Sequence, residues 1–353
     1  MRNLLLLFAM LVLPVLVFSQ EAKKQYKVGC IGFYNVENLF DTLDTPGVND
    51  ADFTPQGSYR YGTAIYIEKQ EHLARVISEM GMDLTPDGVA VLGVAEVENR
   101  AVLEDLVAQE RIKNRNYQIV HYDSPDFRGI DVALLYQPKY FRVTHSRPIP
   151  VPIKGDDGTE RYTRDILFVS GIFDGEPMHF LVNHWPSRRG GEAATQPLRN
   201  FSASLCKNIA DSLIQENPNA KIFIMGDLND DPSSPSVRQV LNAKQKKEQV
   251  KPGGMFNPMY DLYKKGIGTL AWQDAWSLFD QIIISYGLIN EQAGGYRFHQ
   301  AHVHNKPYLF QPSGHFKGYP FRTFAGSTYL GGYSDHFPVY LYLLKEVQPI
   351  ARP

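Results

Sequence analysis

The sequence predicts an α/β chain built as two packed mixed sheets with helices on the outside. Three observations carry that expectation. Apolar runs of strand length outnumber the amphipathic helical segments. The strands come in runs with helices inserted, an order that fits two stacked sheets better than one doubly wound sheet. Neither a repeat of fixed period nor a stretch of linker composition divides the chain, so residues 20–353 read as one domain. The 353 residues include 43% hydrophobic and 12% aromatic side chains, enough to fill a large core.

Residues 1–19 have the layout of a secretory signal: Arg2, an apolar run from Leu4 to Phe18, and Val17 with Ser19 at the expected cleavage point. A membrane anchor fits less well, because the run is short for a span and polar sequence follows it. A secreted or periplasmic protein with no stable membrane insertion after cleavage is therefore expected. The formal net charge of −2 offers no bulk attraction to nucleic acid, so any phosphate-binding surface has to be local. The only cysteines, Cys30 and Cys206, exclude a disulfide framework and suit small buried positions.

Taken in order, Tyr26 to Val36 is a strand that stops at Asn35-Val36-Glu37-Asn38. Ile65 to Met80 is an amphipathic helix with Leu73, Val76, Ile77 and Met80 on one face. Gly88 to Val94 is an apolar strand that delivers Glu96 and Glu98, and Val102, Leu103, Leu106 and Val107 mark a second helix. Strands at Tyr117 to Tyr122 and Ile130 to Tyr136 flank a loop that contains Arg128. Asp131 at the head of the latter is either a solvated edge residue or a partner for a catalytic cation. Ile166 to Phe173 and Met178 to Val182 form a hairpin that ends in Asn183-His184 and a basic, glycine-rich loop with Arg188 and Arg189. Thr195 then caps a long helix whose inner face is expected to be Leu198, Phe201, Leu205, Ile209 and Leu213.

Ile222 to Met225 is a buried strand broken by Gly226-Asp227-Leu228-Asn229. Residues 249–276 read as irregular, Asp280 to Ser285 as a strand that begins with its carboxylate, and Gly294 to Tyr329 as a long loop walling a cleft. The last strand, Val339 to Leu344, follows Ser334-Asp335-His336. Polar groups thus collect at one strand end after another. Asp227 and Asn229, one residue apart in extended geometry, point to the same small volume, an arrangement suited to a hard divalent cation and an activated water. By itself Gly-Asp-Leu-Asn is equally a turn after any core strand.

The ordered set Asn35-x-Glu37-Asn38, Ala95-Glu96, Asn183-His184, Gly226-Asp227-Leu228-Asn229, Asp280-Gln281-Ile282 and Ser334-Asp335-His336 resembles the endonuclease/exonuclease/phosphatase superfamily of DNase-like enzymes. The resemblance implies a four-layer α/β/β/α sandwich and metal-dependent phosphoester hydrolysis at one end of the two sheets. By that likeness Asn35, Glu96 and Asp335 belong to the metal site, with Mg2+ or Mn2+ favoured by the oxygen donors. Asp227 accepts a proton from, or orients, the attacking water, and Asn229 positions it. His336 binds the phosphate with its ring fixed by Asp280, and His184 is a second phosphate or leaving-group histidine, with Asp131 as its loosely matched partner. Arg128, Arg188 and Arg322 are suited to clamping phosphate, surface solubility being their plain alternative. The expected function is a monomeric nuclease acting on DNA or RNA. Phospholipid or phosphoinositide hydrolysis, and an inactive binding module on the same scaffold, are the alternatives.

Overall fold

Alternation along the strands sorts the apolar side chains into three separate cores and thereby sets the layers. The computed structural model describes residues 24–154 and 158–347, so the expected leader lies outside the described residues. One sheet has six strands in the order Arg297–Val303, Val339–Val347, Gln25–Leu39, Val91–Val97, Asp131–Tyr136 and Gln118–His121. The other has seven, in the order Ala243–Lys244, Met255–Phe256, Asp280–Ser285, Lys221–Asp227, Glu176–His184, Ile166–Phe173 and Phe141–Ile149. Both are mixed, since Gln25–Leu39 runs parallel to Val91–Val97 and Lys221–Asp227 parallel to Glu176–His184, while most other pairs are antiparallel.

Ile31, Phe33, Val132 and Leu134 of the first sheet meet Phe180, Val182, Phe223 and Met225 of the second in the central core. The alternate residues Tyr34, Leu92, Val94 and Leu135 pack outward against the helices Thr63–Glu79 and Arg100–Val107. On the far side Leu181, Ile222, Ile224 and Ile283 pack outward against the helix Glu192–Glu216. Helix, sheet, sheet and helix is the expected sandwich. Cys30 lies in one outer core and Cys206 in the other, and both are free thiols. No helix among the described residues is long and apolar enough to cross a membrane.

Four expectations change. The segment 249–276, expected to be irregular, contains the short strand Met255–Phe256, the helix Tyr260–Lys264 and a hairpin of Leu270–Trp272 with Ala275–Ser277. The segment 297–303, expected as loop, is an edge strand paired to Val339–Val347, and Phe141–Ile149 is a further strand that the sequence did not announce. Both are edge strands with polar side chains such as Arg142, Arg147, Arg297 and His299, so neither has the apolar alternation of a core strand. The long helix begins at Glu192 with Gly191 as its cap, and Thr195 lies inside the first turns, where its hydroxyl donates to the Gly191 carbonyl at 2.8 Å. Its buried side chains are Arg199, Ser202, Ala203, Cys206 and Ala210, while Phe201 is exposed. Small residues let the helix approach the sheet closely, which rotates the larger leucines to the flanks.

Gly226 is demanded by another close approach: a Cβ at this position would overlap the carbonyl oxygen of Asn183 on the neighbouring strand. Gly226→Ala should therefore cost about 2–3 kcal/mol through overpacking against backbone. Equilibrium urea unfolding, followed by circular dichroism, will show this as a lowered midpoint with an unchanged slope.

Candidate active site

Residue parity decides which polar groups meet at the ends of the strands. Asn35 follows Ile31 and Phe33 by even steps, so it too faces the second sheet. Asp227 follows Phe223 and Met225, and His184 follows Phe180 and Val182, in the same way. Asp280 pairs directly with Asp227 and shares its face. The Asn35 Nδ2 group then donates to Asp227 Oδ2 at 3.1 Å across the gap between the sheets.

Glu96 arrives by a different route. Its strand shifts register between Ala95 and Val97, so that Val97 joins the outer core and Glu96, with φ 64°, is turned out at the strand end. The strand Gln25–Leu39 shifts register between Asn35 and Leu39, and there Glu37 and Asn38 take φ values of 51° and 50°. Asn38 N–H donates to Glu96 Oε2 at 3.0 Å, and Glu37 N–H donates to Asn35 Oδ1 at 3.0 Å. Two bulges side by side thus lock the two acidic strand ends together.

Between these groups lie two imidazoles. His184 Nε2 is 3.6 Å from Asp227 Oδ2 and 3.8 Å from Glu96 Oε1. His336 Nε2 is 3.8 Å from Asp227 Oδ2 and 4.0 Å from Asp335 Oδ1, while its Nδ1 is bonded to Asp280 Oδ2 at 2.7 Å. Burial disfavours charge on both rings, but the outcomes are opposite. For His184 burial is reinforced by the positive Arg164, Arg128 and His336, and its pKa falls well below the usual range. For His336 burial is outweighed by the carboxylates of Asp280 and Asp227, and its pKa rises well above that range. At neutral pH the site therefore holds a neutral imidazole beside an imidazolium. Asp227 is pushed up to about 6, chiefly by burial, with His336 opposing the rise and Asp280 adding to it. That places a carboxyl group in the range of a general base.

Asn229 acts on Asp227 through its main chain, donating N–H to Asp227 Oδ1 at 3.0 Å, and its side chain is spent on the Trp185 carbonyl at 2.9 Å. Ser334 Oγ donates to the Asn35 carbonyl at 2.7 Å and accepts from His336 N–H at 3.1 Å, so the final loop is pinned to the first strand. Asp335 faces Arg322 at 3.5 Å, and Arg128 donates to Asn38 Oδ1 at 2.7 Å and lies 3.7 Å from Glu96. These two arginines thus stand beside the Glu96 and Asp335 carboxylates.

Arg188 and Asp131 do not do what was expected of them. Arg188 donates to the Asn229 carbonyl at 2.9 Å, bridges Asp230, Asp231 and Glu192, and covers the Phe279 ring at 4.5 Å, so it braces the loop after Asp227 instead of clamping phosphate. Asp131 is out of step with the inward-facing Val132 and does not reach His184. It accepts from His121 Nε2 at 2.9 Å and from the Ser124 N–H at 2.8 Å, and so fixes the loop that presents Arg128. His121, Asp123 and Asp131 bring three ligand atoms within 4.8 Å of one another, yet both oxygens of Asp131 are already occupied by donors.

Sequence reading gave no role to Glu37, Lys69, Arg164 or Ser334. Glu37 accepts from Thr323 N–H at 2.7 Å, and burial together with Asp335 pushes its pKa up to about 7. Buried Lys69 donates to Thr323 Oγ1 at 2.7 Å and balances this acidic corner. A signal for it existed, because Lys69 precedes Leu73 and Val76 by four and seven residues and so shares their apolar face. Arg164 donates to the Trp185 carbonyl at 2.8 Å and pairs with Asp126 at 3.1 Å, joining the loop after His184 to the loop of Arg128.

The sequence profile of the Endonuclease/Exonuclease/phosphatase family matches residues 30–345. The chain belongs to this family. No curated protein matches it. Among solved structures, an endonuclease/exonuclease/phosphatase family protein from Bacteroides thetaiotaomicron aligns with a TM-score of 0.53 at 16% identity, covering 92% of this chain and 100% of that one. A humanized TDP2 from D. rerio aligns with a TM-score of 0.52 at 16% identity, covering 90% and 98%. A mannosyl-6-phosphatase from Bacteroides thetaiotaomicron gives 0.52 at 16% identity, covering 89% and 99%. Identities this low establish the shared fold, and the family places the chain among hydrolases of phosphoric esters.

The Asp280–His336 pair generates a pH prediction. The His336 pKa is raised, so the imidazolium is present below that pKa and is lost as pH rises through it. Asp280→Asn removes the facing charge and should move the descending limb of kcat/KM to lower pH by about one to three units. With His336→Ala in place, the added loss from Asp280→Asn should be small. Additive losses and an unmoved limb would show that the two groups act separately.

Proposed function

We propose that this family member is a secreted, metal-dependent phosphodiesterase that hydrolyses nucleic acid, working as a monomeric single domain. The observation that carries the reaction type is the convergence of Asp227, Glu96, a neutral His184 and a charged His336 on one volume at the sheet ends. Secretion is supported by the leader-like residues 1–19. Nucleic acid is supported by the two guanidinium groups of Arg128 and Arg322 at the site, suited to successive phosphates.

The donor set fits a hard divalent cation, magnesium or manganese. Glu96, Asp335, Glu37 and Asn35 offer oxygen ligands only, and the side-chain Oδ1 of Asn35 retains a lone pair beyond the one used by Glu37 N–H. Glu37 and Asp227, raised to about 7 and about 6 chiefly by burial, are carboxyl groups whose ionised form a bound cation would favour. When bound, such an ion supplies Lewis acidity toward the phosphoryl oxygens.

The side chains perform the remaining work. Asp227, held on one oxygen by Asn229 N–H and on the other by Asn35, takes the proton of the attacking water. His336, kept cationic by Asp280, faces the phosphate and stabilises negative charge as it develops. The neutral His184 donates a hydrogen bond without adding a charge. Arg128 and Arg322 orient the diester from the Glu96 and Asp335 sides.

Glu96→Gln should raise the Mg2+ concentration needed for half-maximal rate by about tenfold or more, with partial recovery at high metal. The assay compares DNA, RNA, sphingomyelin, phosphoinositides and sugar phosphates, each with magnesium and with EDTA. Full activity in EDTA, or a clear preference for a lipid or sugar phosphate over both nucleic acids, would overturn the proposed reading.

A further inference from the structure

Beside the reaction centre stands a short ribbon that the chemistry above does not use. Leu270–Trp272 pairs with Ala275–Ser277, and the two-residue turn Gln273-Asp274 has φ values of 47° and 62°, the left-handed pair of a tight hairpin. Its root is part of the site. Thr269 N–H donates to the Ser277 carbonyl at 2.8 Å, the Thr269 carbonyl accepts from Phe337 N–H at 2.7 Å, and Thr269 Oγ1 accepts from Asp280 N–H at 3.3 Å. The ribbon therefore grows from the backbone that carries Asp280 and His336. Its tip is also tied: Asp274 N–H donates to the Tyr319 hydroxyl at 2.6 Å, and that hydroxyl donates to Asp274 Oδ1 at 2.7 Å.

This rigid element displays two indoles. Trp272 is 70% exposed and Trp276 36% exposed. Trp276 is stacked on Phe337, the residue after His336, with centroids 5.8 Å apart and planes inclined by 22°. An isolated exposed tryptophan needs no explanation, but a ribbon fixed at root and tip that holds one indole on each face, one of them stacked beside His336, is a preorganised aromatic element. Lys264 and Lys265, exposed at the end of the helix six and five residues before the ribbon, and the exposed Lys317, two residues before Tyr319, add positive charge to the segments that join it. The one acid of the ribbon, Asp274, is engaged by Tyr319.

We propose that this ribbon is a base-stacking element for single-stranded nucleic acid, with Trp276 receiving a base near the scissile phosphate on one face and Trp272 a base on the other face, where the strand has rounded the two-residue tip. The proposal rests on the nucleic-acid reading of the site and narrows it to unpaired strands, whose bases are free to stack on aromatic side chains while lysines meet the backbone. A lipid surface fits less well. The tip that would enter a bilayer first is a carboxamide beside a carboxylate, and the indoles lie on opposite faces of the ribbon, Trp276 opposite Ala271 and Trp272 opposite Ala275.

The test uses the mature chain in EDTA, where binding is separated from cleavage. The sequence has three tryptophans, and Trp185 is buried, so changes in indole emission on adding oligo-dT report Trp272 and Trp276. The expected result is saturable quenching, reduced in Trp272→Phe and in Trp276→Phe. With labelled oligo-dT, anisotropy should show binding weakened about tenfold or more in the Trp272→Ala/Trp276→Ala double variant. Unchanged affinity in the double variant would overturn the stacking role, as would an emission change with phosphatidylglycerol vesicles and none with oligo-dT. If the wild type cleaves oligo-dT while the double variant binds it equally well, the hydrolase reading stands and the stacking role falls. If the wild type binds through the indoles but cleaves no diester, the stacking role stands and the hydrolase reading falls.

Discussion

The hydrogen bond from Asn35 to Asp227 is the interaction on which the site depends, because it joins the two sheets where their strands end. The sheets are held together elsewhere by apolar packing, which is strong but non-directional. Packing alone leaves the relative placement of two strand ends loose by fractions of an ångström. A buried amide that donates to a buried carboxylate removes that freedom. Leaving either group unsatisfied in this water-poor corner would cost about 1–3 kcal/mol. Ser334 extends the same bond network to the last loop, so Asn35 sets the position of Asp227 directly and of His336 at one remove.

Burial without full charge balance then gives the groups their chemistry. The same desolvation acts on His184, His336 and Asp227, and only the neighbours differ. Arginines around His184 deepen the effect of burial, and carboxylates around His336 reverse it. One small volume accordingly holds an acidic hydrogen-bond donor, a neutral one and a carboxyl group raised toward the working range. Environment assigns three roles to side chains that would titrate unremarkably in water.

Much of this was legible in the sequence, and the reason is parity. Apolar residues at even spacing before Asn35, His184 and Asp227 mark the face on which each emerges, so the members of the site could be named from pattern and motif. What stayed hidden depends on a break in that pattern or on its absence. The bulge that turns Glu96 outward leaves no mark in a run of apolar residues, and Asp131 looked like a partner for His184 only while its strand phase was unknown. Edge strands such as 141–149 and 297–303 lack an apolar stripe because one side of each faces no neighbouring strand. The helix Glu192–Glu216 was placed correctly but turned, since small residues pack where leucines were expected.

Arg188 is the most instructive of the reassigned residues. A glycine-rich loop with two arginines reads as a phosphate clamp, yet the chain needs positive charge there for another purpose. The loop after Asp227 carries Asp230 and Asp231, and Asn229 takes the left-handed backbone at φ 49°. For a non-glycine residue that conformation costs on the order of 1–3 kcal/mol and persists only when the surroundings over-determine it. Here they do: Arg188 holds the Asn229 carbonyl, and Arg199 forms a fully buried pair with Asp230 at 2.7 Å, with Gln196 and Ser236 completing the shell of that carboxylate. The backbone that presents Asn229 N–H to Asp227 is sustained by the ion pairs of Arg188 and Arg199. Preorganisation of Asp227 is thus a property of the helix Glu192–Glu216 and its arginine as much as of Asn35 and Asn229, which hold its two oxygens.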